Sequence, residues 1–155
     1  MPTVRVVTAD DLDQLVESVT NLFRDDAGQH DRFTDTTWPQ REGHTRYGAL
    51  VGDPAWLQLL AYDDDDRAVG HLVGRVGEPT PTRPNRSAVL ESLYVFADVR
   101  GQGVGALLVE EFLKWAREQG AVYATVSAYA ANERAQRFYQ VNGFVPQSVT
   151  LQAVL

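Results

Sequence analysis

Residues Val95 to Ala106 read VFADVRGQGVGA, with glycines at 101, 103 and 105 and an arginine at 100. The segment joins an apolar, β-branched stretch to an amphipathic one. Glycines where a chain enters a helix remove the side chains that would keep an anion away from backbone N–H groups. The helix dipole at that end favours negative charge. Arg100 adds a guanidinium suited to paired phosphate oxygens. This combination predicts a site for a diphosphate-sized anion, built by Arg100, Gly101, Gln102, Gly103, Val104, Gly105 and Ala106. A Walker loop is excluded, because Gly105 is followed by Ala106 and Leu107, not by Lys and Ser or Thr. A dinucleotide fingerprint matches formally at Gly101, Gly103 and Ala106. It starts too far behind the strand, and no acid lies between Glu118 and Glu133 to take a ribose. On the stretch before the glycines, Glu91, Leu93 and Val95 fall on one face by the period of two, so Glu91 is a carboxylate carried close to this junction.

The elements needed to hold these residues follow from periodicity. Thr3–Thr8 is a β-branched strand. Leu12, Leu15, Val16, Val19 and Phe23 form one face of a helix that starts at Asp10 or Asp11. Asp25–Thr37 reads as a loop, and Pro39 suits the first turn of a second helix carrying Tyr47, Leu50 and Val51. Trp56–Tyr62 and Ala68–Val76 form a hairpin about the aspartates 63 to 66. These four lack the ligand alternation and glycine of a calcium loop, so they read as a solvated turn. Pro79, Pro81 and Pro84 make residues 78–86 a loop. Ala88–Val95 is a strand, Gly103–Gln119 a helix stopped by Gly120, and Ala121–Ala128 a strand. Asn132–Val141 is a helix, and Val149–Leu155 a closing strand, with a further short strand near Phe144. The order predicts a single α/β (α+β) domain over residues 1–155. Its central sheet is mixed and mostly antiparallel, flanked by helices, with a parallel pair late in the chain.

Arg100, Gly103 and Gly105 also fit the pattern Arg/Gln-x-x-Gly-x-Gly/Ala, and two flanking segments extend the likeness. These are LESLYV at Leu90–Val95 and NERAQRFYQVNGF at Asn132–Phe144. In order and spacing the three segments resemble the GNAT superfamily of N-acetyltransferases, sharply from about Ala88 to Phe144. The resemblance implies two parallel strands that splay apart around acetyl-CoA as co-substrate, with no metal. Leu93, Tyr94 and Val95 would then lie along the pantetheine arm, and Gly101 to Ala106 would take the diphosphate. An N–H near Val95 would polarise the thioester carbonyl. Asn132 matches a position close to the pantetheine and equally suits a helix N-cap. Tyr139 matches a tyrosine that protonates the departing thiolate. Glu91 is the candidate base, acting through water. The implied reaction is acetyl transfer to a primary amine, first of a small molecule. The alternatives are a protein or peptide amine and a non-catalytic acetyl-CoA-binding module. Ser127 stands where N-terminal acetyltransferases of the superfamily often carry glutamate, which lowers the protein-amine alternative. Pairing of two copies through Val149–Leu155 is a further implication.

Composition sets the outer limits. The 155 residues carry 14 Lys and Arg against 21 Asp and Glu, a net charge of −7. That argues against general nucleic-acid binding and is compatible with steering of a cationic acceptor. The region Asp25–Trp38, with Asp25, Asp26, Asp31 and Asp35, together with the third and fourth strands, is where such an amine would be met. No cysteine is present, so thiolate ligands and a thiol nucleophile are excluded. His30, His44 and His71 are too scattered for a zinc site, and His71 on the third strand reads as a satisfied strand histidine, with a place facing the acceptor cleft as the alternative. No stretch has the pattern of a signal peptide or a membrane span, which predicts a cytoplasmic protein without membrane contact.

Overall fold

A computed structural model describes all 155 residues. Thr8 opens the first helical segment by donating its N–H and Oγ–H to the Asp11 carboxylate at 2.8 and 2.9 Å. The elements are β1 (Thr3–Val6), α1 (Leu12–Asp25), α2 (Ala27–His30), α3 (Trp38–Leu50), β2 (Trp56–Tyr62), β3 (Ala68–Gly77), β4 (Ser87–Val95), α4 (Val104–Glu118), β5 (Tyr123–Val126) and α5 (Glu133–Val141). The five strands lie in sequence order. β1, β2, β3 and β4 are antiparallel neighbours, and β5 joins β4 in parallel after the crossover through α4. The expected mixed, mostly antiparallel sheet is therefore the observed one.

The two faces of the sheet bury separate cores. On one, Leu57, Leu59, Leu72 and Leu90 pack against Leu108, Val109 and Phe112 of α4. On the other, Leu60, Tyr62 and Val73 meet Leu15, Val16 and Val19 of α1 and Tyr47 and Leu50 of α3. β2 and β3 alternate between the two cores, so burial on both sides fixes their register. Two places break the alternation. One lies beside Tyr62, and the other lets Ser92 pair with Val73 and Leu90 with Gly74, which leaves Glu91 as the extra residue of a β-bulge.

Four expectations need correction. Residues 25–37 are not wholly loop, because Ala27–His30 forms one helical turn. Tyr123–Val126 is shorter than the strand expected over 121–128, because β5 pairs with β4 only through Leu90. No strand forms at Val149–Leu155 or near Phe144. A strand is held by a ladder partner and a buried face. Val149, Leu151 and Leu155 are exposed, no strand lies beside them, and Pro146 lacks an N–H. Phe144 instead follows α5 closely, donating its N–H to Tyr139 O at 3.0 Å.

Opposite the bulge, a Cβ on Gly74 would stand 2.6 Å from Cε1 and 2.7 Å from Cδ1 of the buried Phe112 ring. Gly74→Ala should therefore destabilise the fold by about 1–3 kcal/mol, read as a lower midpoint in urea with an unchanged slope.

Candidate functional site

β4 runs into a short turn at Ala97–Val99 and then into α4. Gly101 and Gly103 have φ of 80° and 84°, left-handed values that L side chains adopt only with strain. This path turns a row of amides outward. The N–H groups of Gly101 through Ala106 make no hydrogen bond within the protein, and the first helical bond runs from Leu107 N–H to Gly103 O at 3.0 Å. The row sits at the positive end of a helix of 15 residues. Such a row suits the oxygens of a diphosphate. Gly105 serves a second purpose: a Cβ there would lie 2.9 Å from the Phe138 ring, so it lets α5 close against α4. Arg100 donates Nε–H to Val95 O at 2.8 Å, its guanidinium carbon lies 5.2 Å from the centre of the Tyr94 ring, and its Nη groups make no protein hydrogen bond.

Beside this junction the sheet opens. β5 pairs with β4 from Ser87 to Leu90 only, while β4 continues to Val95 with no strand on that side. Leu93 and Val95 turn towards the core under α4, and Ser92 and Tyr94 turn towards α1. The end of α1 is tied across the opening. Tyr94 Oη–H donates to Asp25 Oδ2 at 2.6 Å, and Asn132 Nδ2–H donates to Asp26 Oδ1 at 3.0 Å. Asn132 also caps α5, accepting from Ala135 N–H at 3.0 Å. Tyr139 lies in α5 between Phe138 and Phe144, with ring centres 5.2 and 5.7 Å away. Its hydroxyl has no partner in the protein. Burial, with a smaller contribution from Asp26, pushes it up to about 12. It therefore keeps its proton throughout the neutral range.

Glu91 is not on the face of Leu93 and Val95, as simple alternation predicts. The bulge inserts one residue and sends Glu91 with Ser92 to the α3 side. There it forms an ion pair with Arg75 of β3. Both line a cleft of about 360 Å³ walled by Phe23, Trp38, Tyr47 and Trp56. The Arg46 guanidinium lies 5.2 Å over Trp56. Trp38 closes the 25–38 region expected to meet the acceptor, whereas Phe23, Tyr47 and Trp56 carry no such mark in the sequence, since aromatics spaced along a helix and a strand read equally well as core. The glycine at 74, facing the bulge, was the one local sign that the alternation fails here.

His71 lies beneath the cleft. It is fully buried, with Nδ1 2.5 Å from Ser18 Oγ and Nε2 3.0 Å from Ser92 Oγ. Burial lowers it to about 3, so it is neutral. The aspartates of the α1–α3 region are engaged locally: Asp25 by Arg24 and Tyr94, Asp31 by Thr34, and Asp35 by Thr37 and Arg41. The aspartates of the 63–66 turn meet Arg67, the N-terminal amine and Arg5, and no group of side chains suited to a metal ion is found. No helix is long and apolar enough to cross a membrane.

The family described as "Acetyltransferase (GNAT) family" matches residues 16–144. An aminoglycoside N(6')-acetyltransferase type 1 of Acinetobacter genomosp. 13 is 31% identical over 111 residues, 69% of this chain and 76% of that protein. An uncharacterised N-acetyltransferase of Mycobacterium tuberculosis is 30% identical over 99 residues, 64% of this chain and 59% of its own length. Among solved structures, an aminoglycoside 6'-N-acetyltransferase of Acinetobacter baumannii superposes with a TM-score of 0.74 at 18% identity. The match covers 100% of this chain and 99% of that one. A Bacillus halodurans protein reaches 0.83 at 21% identity, with 99% of each chain covered.

The buried histidine predicts an acid limit to stability. Its pKa is depressed on folding, so its contribution is full above about 6.5, the ordinary value, and is lost as pH falls towards 3. The melting temperature of the wild type should therefore drop from pH 6.5 to 4 more steeply than that of His71→Asn.

Proposed function

This chain belongs to the GNAT acetyltransferase family, and we propose that it moves the acetyl group of acetyl-CoA to the amine of a small molecule. It is an acetyl-CoA-dependent N-acetyltransferase, and the relatives named for aminoglycosides support an amine of small-molecule size. The observation that carries the reading is the row of unpaired amides from Gly101 to Ala106, set beside a strand whose outer edge is open.

In this reading those amides receive the diphosphate, with the Nη groups of Arg100 adding charge. The open edge of Leu93, Tyr94 and Val95 lies along the pantetheine arm. An N–H of that edge holds the oxygen on which charge develops as the amine attacks the thioester carbonyl. Asn132, fixed by its contacts to Ala135 N–H and Asp26, borders the opposite wall. Glu91 takes the amine proton through water. Arg75 engages Oε1 of that carboxylate and leaves Oε2 as the acceptor. Tyr139, protonated and without a protein partner for its hydroxyl, gives its proton to the departing thiolate.

The test is thiol release from acetyl-CoA with a panel of primary amines. Tyr139→Phe should lower kcat about 100-fold while acetyl-CoA affinity in calorimetry stays unchanged. Because Tyr139 is pushed up to about 12, the wild-type rate should rise with pH as the acceptor amine loses its proton and should show no descending limb by pH ~10. Full turnover in both Tyr139→Phe and Glu91→Gln would refute the assigned roles.

A further inference from the structure

The cleft beside Glu91 narrows the acceptor class, and this inference rests on the acetyl-transfer reading above. Two guanidiniums face the cleft, Arg46 and Arg75, against one carboxylate, Glu91. Arg75 is paired with Glu91, whereas Arg46 makes no ion pair and no hydrogen bond within the protein. Glu42, one helical turn before Arg46, lies 3.7 Å from Arg41 Nη1, and Asp53 accepts from Ala55 N–H. Asp25 and Asp35 are held by Arg24 and Arg41, and Asp26 accepts from Asn132.

Ser92 adds a donor. Ser18 Oγ makes no hydrogen bond other than that to His71 Nδ1. If Nδ1 carried the proton, the buried Ser18 hydroxyl hydrogen would have no acceptor. The satisfied arrangement has Ser18 O–H donating to Nδ1 and Nε2–H donating to Ser92 Oγ. The Ser92 hydroxyl hydrogen is then left for the cleft. The cleft thus presents an O–H and two guanidiniums beside Trp38, Tyr47 and Trp56.

A polycation would meet the unpaired Arg46 guanidinium here. A carboxylate would meet three donors. The cleft volume, about 360 Å³, is small for a ligand site, and Glu91 stands one residue past the last β4–β5 pair, where the sheet opens. We infer that the acceptor is a compact amine that also bears a carboxylate on an apolar or aromatic body. The carboxylate sits on Arg46, Arg75 and Ser92, the body lies against the tryptophans, and the amine points past Glu91 to the opening. The aminoglycoside-named relatives share the family fold with this chain, and the cleft chemistry sets its acceptor apart from a polycationic one.

Trp38 and Trp56 report on the cleft directly. The third tryptophan, Trp115, packs with Phe112 on the other face of the sheet. Tryptophan fluorescence is titrated with phenylacetate, phenylacetamide and phenethylamine. A saturable change is expected for phenylacetate, about tenfold tighter than for either other probe. Arg46→Gln, at an exposed position, should weaken phenylacetate about fivefold and leave phenylacetamide unaffected. In thiol release, 4-(aminomethyl)benzoate should exceed benzylamine in kcat/KM, and Arg46→Gln should remove the difference by raising KM. If phenylacetate fails to saturate, or binds no tighter than phenylacetamide or phenethylamine, the acceptor class is overturned. Calorimetry with acetyl-CoA separates the two claims. Binding of acetyl-CoA without the carboxylate preference overturns the acceptor class alone, and no binding of acetyl-CoA overturns the transfer reading with it.

Discussion

The parallel pairing of β4 with β5 stops at Leu90, and everything at the site depends on that interruption. A paired β4 would have no free edge, and the turn into α4 would be covered. Because the pairing stops, five residues of strand and the amides of Gly101 to Ala106 face one opening. Unpaired backbone groups are costly when buried. Here the amide row begins at the surface, where Gly101, Gln102 and Gly103 are exposed. The surrounding contacts hold the opening in shape. Phe138 closes α5 onto α4 over Gly105, and the end of α1 is bonded to Tyr94 on one side and Asn132 on the other.

The two cores divide the labour around this opening. The face under α4 is apolar and carries Leu93 and Val95. The face under α1 and α3 carries the buried Ser18–His71–Ser92 chain and the aromatic cleft. The bulge at Glu91 is what joins the second face to the opening, since it sends a carboxylate to the cleft side at the residue where the strands part. The proposed acid, Tyr139, comes from α5, so proposed acid and base reach the opening from different elements.

Much of this was legible in the residues. The glycines and Arg100 announced the junction because a left-handed φ and a close approach leave few alternatives to glycine. The alternation of apolar residues placed the strands of the sheet and the helices flanking it. What stayed hidden depends on long-range pairing. The bulge at Glu91 arises from the register of β4 against β3, and alternation within β4 alone assigns that side chain to the wrong face. Val149–Leu155 has a strand-like pattern but no partner within the chain, and pattern alone does not reveal a missing partner. Arg46, Trp56 and Ser92 come together from three elements, and nothing in their spacing connects them.

The most direct measurement is the amide ¹H–¹⁵N spectrum of the protein during titration with coenzyme A. The largest shifts, and slowed hydrogen exchange, are expected at Gly101 through Ala106, with smaller changes along Leu93 to Val95. Coenzyme A binding that leaves the 101–106 amides unmoved, or no binding by the folded protein, would contradict the proposed site.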